Sequence, residues 1–97
     1  MIPVYIGDEL SAAGYRLAGM RVHTPAAEDV LETFRRTLGE TELLLLSVET
    51  ARHLPAAELN RALGELKPQI LIVPDIRGRV PLRDLPTRIR TALGVRV

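Results

Sequence analysis

The chain has 97 residues, enough for one small domain, and it contains no cysteine, which excludes disulfides, thiolate metal sites and a cysteine nucleophile. Hydrophobic residues make up 46% and charged residues 26%, an ordinary balance for a globular chain that can bury a real but thin core. The formal charge of +1 is unevenly divided: positions 1–74 carry ten acids against seven bases, while positions 75–97 carry six arginines against two aspartates.

The first strand is expected over Ile2-Pro3-Val4-Tyr5-Ile6, with Pro3 tolerated only near its start and Gly7 breaking it. Asp8 is a good N-cap for the helix that follows. Leu10, Ala13, Gly14, Leu17 and Ala18 recur at helical spacing and predict its buried face, with Gly14 allowing close packing on a sheet. Gly19 ends this helix. Met20 to His23 reads as a second short strand. Thr24-Pro25 then reads as a helix start, cap followed by first helical residue. Acids at Glu28 and Asp29 and bases at Arg35 and Arg36 complement the dipole of that second helix. Its predicted buried stripe is Val30, Leu31, Phe34 and Leu38, and Gly39 closes it.

Glu42 to Val48 includes four consecutive leucines, Leu43 to Leu46. A short strand that is apolar at every position is expected to be covered on both faces, as in a parallel sheet. Residues 49–66 form a helical region interrupted by Pro55, with Leu59, Ala62, Leu63 and Leu66 as the expected core face. Lys67-Pro68 ends it, and Ile70 to Val73 is the fourth strand, stopped by Pro74.

This β-α-β-α-β-α-β alternation predicts an α/β fold: a four-stranded, parallel, doubly wound sheet of order 2-1-3-4, like that of Rossmann and receiver domains. The expected division is a globular body over 1–75 and a basic linker with a C-terminal helix over 76–97. Asp84 can cap that helix, and Leu85, Ile89 and Leu93 line one of its sides. A helix of nine residues is marginal alone and must dock on something. Its apolar stripe, with Arg83, Arg88 and Arg90 beside it to pair with acids, is the candidate partner interface.

Candidate chemistry is sparse. In such a sheet a ligand would sit beyond the strand ends at the order switch, here Gly7-Asp8-Glu9. Two carboxylates there repel a phosphate, and the glycine spacing matches neither a dinucleotide fingerprint nor a P-loop. The acid pair resembles that of receiver domains, but Ser47, Val48 and Glu49 stand where a phospho-accepting aspartate would be needed. A receiver-like or small-ligand regulatory domain is the alternative reading. His23 and His53 lack partners at metal-ligand spacing, and Ser11 and Ser47 lack nucleophile context, so no catalytic residue, metal or cofactor is expected. Two tyrosines and one phenylalanine offer little for stacking on bases, and with an acidic body no nucleic-acid partner is expected. The longest apolar run is far short of the roughly 20 residues of a membrane span, and no signal peptide is evident, so the expected compartment is the cytoplasm.

One stretch is more specific. IGDELSAAGYRLAGM, residues 6–20, resembles the N-terminal signature of the F subunit of the vacuolar/archaeal-type (V/A-type) rotary ATPases, in which a strand runs into G-D-E and then a helix ending G-F-R-L-A-G. Gly7, Asp8, Glu9, Gly14, Arg16, Leu17, Ala18 and Gly19 match, and Tyr15 replaces the usual phenylalanine. The C-terminal LRDLPTRIRTALGVRV is similar to the amphipathic last helix of bacterial members. The resemblance implies a non-catalytic component of the central rotor stalk, bound to the elongated coiled-coil D subunit. That shaft turns within a ring of A and B subunits, on which ATP is made or hydrolysed in step with proton or sodium movement. It also implies a C-terminal helix that reaches toward the A/B ring to modulate turnover, and a cytoplasmic place peripheral to the membrane.

Overall fold

A computed structural model describes residues 2–74. Along the chain these form β1 (Val4–Ile6), α1 (Glu9–Leu17), β2 (Arg21–His23), a 3-10 turn (Ala27–Asp29) running into α2 (Val30–Leu38), β3 (Leu43–Ser47), α3 (Val48–Arg52), α4 (Ala56–Leu63) and β4 (Gln69–Val73). The four strands make one sheet of order β2-β1-β3-β4, and every neighbouring pair is parallel. This is the order the strand-helix alternation predicts. The expected boundary at 75/76, the linker and the final helix lie outside the described residues.

Side chains alternate across a strand, so the register sorts the sheet into two faces. Val4 and Ile6 pair with Leu44 and Leu46, which pair in turn with Ile70 and Ile72. All six are buried, and they pack with Val30 and Phe34 of α2, Val48 and Ala51 of α3, Leu54, and Leu59 and Ala62 of α4. That face is closed by three helices. Tyr5, Leu45 and Leu71 form the row on the opposite face, where α1 packs on β1 and β2. There Leu43 and Leu45 are only half-buried and Leu71 is 40% exposed. The leucine run is therefore a strand, as its length predicts, and among the described residues helices seal one of its faces more fully than the other.

Two helix faces differ from expectation. Helix α1 buries Ser11 and Ala12, while Leu10 is 53% and Leu17 91% exposed. Nothing lies within 4 Å of where a Cβ on Gly14 would be, so that glycine makes no close approach to the sheet. The reason is an aromatic contact. Tyr5 is fully buried and its ring stacks on Tyr15 of α1, with centroids 4.4 Å apart. Seating Tyr15 there turns Leu10 and Leu17 outward. Leu66, expected in the core, lies past the end of α4 and is 94% exposed.

The ends of α1 follow the sequence closely. The Asp8 carboxylate accepts the Ser11 backbone N–H at 3.0 Å. Gly19 has φ of +93°, and Gly19 and Met20 donate to the carbonyls of Arg16 and Tyr15. This is the paired bonding that closes a helix on a left-handed glycine. Thr24-Pro25, by contrast, does not begin α2. Residues 24–26 stay outside any helix, and the Thr24 hydroxyl donates to the Glu9 carboxylate at 2.8 Å instead of capping. In α2 the stripe is as predicted, with Val30 and Phe34 buried and Leu31 and Leu38 packed against the core. Thr37, also buried, donates to the Thr33 carbonyl at 2.7 Å. Pro55 separates α3 from α4 as expected. Arg35 grips Glu58 through two hydrogen bonds, 2.8 and 2.7 Å, joining α2 to α4.

Two substitutions test the asymmetry between the faces. Phe34→Ala empties a fully enclosed site and is expected to cost about 3–5 kcal/mol in chemical denaturation. Leu71→Ala is expected to cost clearly less than Phe34→Ala, about 1 kcal/mol, because Leu71 is 40% exposed and its removal opens no enclosed cavity.

Candidate functional site

The order switch lies between β1 and β3, and the structure does place a cleft there. It has a volume of about 250 Å³ and is lined by Gly7, Asp8, Pro25, Val30, Ser47 and His53 among others. Each chemical group in it whose contacts are resolved serves the fold. Asp8 caps α1 and also accepts a hydrogen bond from the Tyr5 hydroxyl at 3.2 Å. Ser47, at the end of β3, caps α3: its Oγ accepts from the Thr50 backbone N–H at 3.0 Å and donates to the Thr50 hydroxyl at 2.8 Å. The His53 Nδ1–H donates to the Glu49 carbonyl at 2.8 Å.

The electrostatics agree with a structural role. Burial alone would raise the Asp8 carboxyl, but hydrogen bonds from the Ser11 backbone and hydroxyl, its own backbone and Tyr5 outweigh it and hold the group below its usual value. Asp8 is thus a firm carboxylate, the wrong state for a general acid at neutral pH. Tyr5 is pushed up from 10.0 to about 12, chiefly by burial and further by the neighbouring Asp8 charge, against a lowering hydrogen bond from Ser11. It is a fixed hydroxyl donor and not a nucleophile. Gly7 is required by the same clasp, since a Cβ there would collide with the Tyr5 ring and hydroxyl.

A receiver role fails on the same geometry. The position a phospho-acceptor would need is taken by Ser47, whose oxygen is engaged in capping. Beside β2, a second hollow of about 370 Å³ is lined by His23, Thr24, Asp29, Glu32, Thr33 and Arg36. The Nε2 of His23 is buried there without a hydrogen-bond partner. Among the described residues no group of three or more His, Asp or Glu is placed to hold a metal, and no helix is long and apolar enough to cross a membrane.

The cleft therefore brings together Gly7, Asp8, Ser47 and His53, which the sequence singles out separately, and leaves Glu9 turned to Thr24. Tyr5 and Tyr15 are the residues that sequence reasoning misses. Their signal is compositional: two of the three aromatic residues in the chain lie ten positions apart, around the glycine-acid turn. The candidate interface residues Arg83, Leu85, Arg88, Ile89, Arg90 and Leu93 lie outside the described residues.

With this geometry in view, comparison with known families is decisive. Residues 4–90 match the family of the ATP synthase (F/14-kDa) subunit. The chain belongs to that family. The match spans the whole described sheet and continues into the basic end, so it supports the resemblance to the V/A-type F subunit seen in residues 6–20. A comparison with curated proteins gave no significant match. Membership of the family makes the chain a component of a rotary ATPase, and an accessory one.

The Tyr5 clasp makes a pH prediction. A folded-state pKa raised from 10.0 to about 12 means that the folded protein holds the proton longer than the unfolded chain. The associated stability is present below pH 10 and lost between about pH 10 and 12. In a spectrophotometric titration the phenolate step near 12 should vanish in Tyr5→Phe. Gly7→Ala is expected to destabilise by about 1–3 kcal/mol through overpacking against that ring, measured by urea denaturation.

Proposed function

We propose that this chain is a non-catalytic component of the central rotor stalk of a V/A-type rotary ATPase, binding the elongated coiled-coil D subunit. On this reading it turns with that partner inside the ring of A and B subunits, where the ATP chemistry resides, and it works at the cytoplasmic side, peripheral to the membrane. Its contribution is to couple and modulate turnover on the ring through the basic C-terminal segment, whose Arg83, Arg88 and Arg90 meet acids on A or B while Leu85, Ile89 and Leu93 supply the apolar contact.

The family match over residues 4–90 carries this proposal. The chemistry of the cleft is in keeping with it. Asp8, Ser47 and Tyr5 are engaged in capping and clasping, which leaves the body suited to binding a partner by its surface. Charge also favours such a role: an acidic body with a basic end can orient on a partner, and rim charges of this kind set encounter rate and register more than affinity.

Co-expression with the coiled-coil D subunit from the same source tests the reading. A stable stoichiometric complex is expected on size-exclusion chromatography, and no ATP turnover by the isolated chain. Complexes reconstituted with the A/B ring and the coiled-coil shaft should show ATPase rates that respond to Arg88→Glu and Arg90→Glu added together. Failure to bind the shaft, or nucleotide turnover that follows the purified chain through every step, would overturn it.

A further inference from the structure

Helix α1 is held with its apolar side outward. Leu10, Ala13, Gly14, Leu17 and Ala18 form one stripe at helical spacing, and all five are exposed. Leu10 is 53% and Leu17 91% exposed. The two other long helices among the described residues do the reverse. Helix α2 buries Val30 and Phe34 and shows Glu32 and Arg36 to solvent, while α4 buries Leu59 and Ala62 and shows Arg61. The orientation of α1 is fixed at two points, by the Asp8 cap on its first turn and by the Tyr15 ring on Tyr5. The stripe cannot roll inward without breaking both. Leucines kept outward by buried contacts elsewhere on their own helix mark a contact surface.

We infer that a helix of the coiled-coil D subunit lies along this stripe. The inference rests on the rotor-stalk reading above and names the face of the body that meets the shaft. Leu10 and Leu17 are seven residues apart, ~10.5 Å along the axis, which is the repeat of an apolar coiled-coil seam. Between them Ala13 and Gly14 make a low shelf, and nothing lies within 4 Å of a Cβ built on Gly14. A helix fits such a relief by placing one large apolar side chain on the shelf and receiving each leucine between its own side chains. A second copy of this chain fits it poorly. In a two-fold antiparallel pair of α1 helices centred on the shelf, Leu10 meets Leu17 of the second copy and shelf meets shelf, which leaves a gap at the centre. The stripe also offers five residues, where each side of a stable dimer engages roughly 20. An elongated partner can add contacts along its length that a second copy of α1 does not supply.

Titration calorimetry of the full-length chain with the D subunit tests it. Leu10→Glu together with Leu17→Glu should weaken binding at least about thirtyfold, because both carboxylates would be buried unpaired in the contact. Gly14→Leu should weaken it about tenfold by filling the shelf. Its melting temperature should hold or rise, since the site has room and glycine is the poorer helix former. Arg36→Glu, on the outward side of α2, should leave the affinity within about threefold of the unmodified chain. In Gly14→Cys, which puts a single thiol into a chain without cysteine, alkylation should slow about tenfold when D is added and should not depend on the chain's own concentration. If the unmodified chain does not bind D, the rotor-stalk reading falls and this inference with it. If it binds, and the α1 variants bind equally well, the inference alone falls. Slow alkylation in the isolated chain at every dilution would assign the stripe to residues 75–97, and protection that grows with concentration would assign it to a second copy; each overturns the inference.

Discussion

The position of one aromatic ring governs how half of this molecule is assembled. Tyr5 is the middle residue of β1, a central strand, and it points away from the face that α2, α3 and α4 cover. A phenol cannot be buried there with its hydroxyl unpaired except at a cost of several kcal/mol, on the order of 2–7. Asp8 supplies the acceptor, and it can do so only because Gly7 leaves the space between them open. The same carboxylate holds the first turn of α1, so strand, turn and helix are fixed by a single hydrogen-bonded cluster. The stack of Tyr15 on Tyr5 then sets the rotation of the helix about its axis. Satisfied polar clusters of this kind specify one arrangement because each alternative strands a buried donor or acceptor.

The consequence is a sheet with unlike faces. On one side the β-branched and leucine side chains of the strands meet three helices in a continuous apolar core that includes Phe34, Leu44 and Leu46 at zero exposure. On the other, among the described residues, a single helix of nine residues covers β1 and β2 and brings Ser11, Ala12 and the Tyr15 ring to the sheet. The order switch falls between these regimes, at the place where related architectures bind ligands. Here the side chains that could do chemistry are instead the ones that terminate strands and begin helices. Asp8 and Ser47 are both engaged as helix caps, an arrangement compatible with membership of a family of accessory subunits.

Much of this was legible in the amino-acid sequence, and what was not has a common cause. Strands at Val4–Ile6, Leu43–Ser47 and Gln69–Val73, the Asp8 cap, the Gly19 stop and the break at Pro55 are local features, and local chemistry determines them. The order 2-1-3-4 follows from alternation and handedness, which are equally general. The failures all concern which side of an element meets the rest. Leu10 and Leu17 carry the stronger hydrophobic signal in α1, yet the Tyr5–Tyr15 stack outweighs them, a tertiary contact that periodicity does not contain. Thr24 is a good cap by type, but Glu9, fifteen residues away in sequence, takes its hydroxyl. The residues of the cleft were identifiable one by one. Their mutual satisfaction was not, because hydrogen bonds such as that of Tyr5 with Asp8 depend on the glycine between them being used for clearance rather than for a turn.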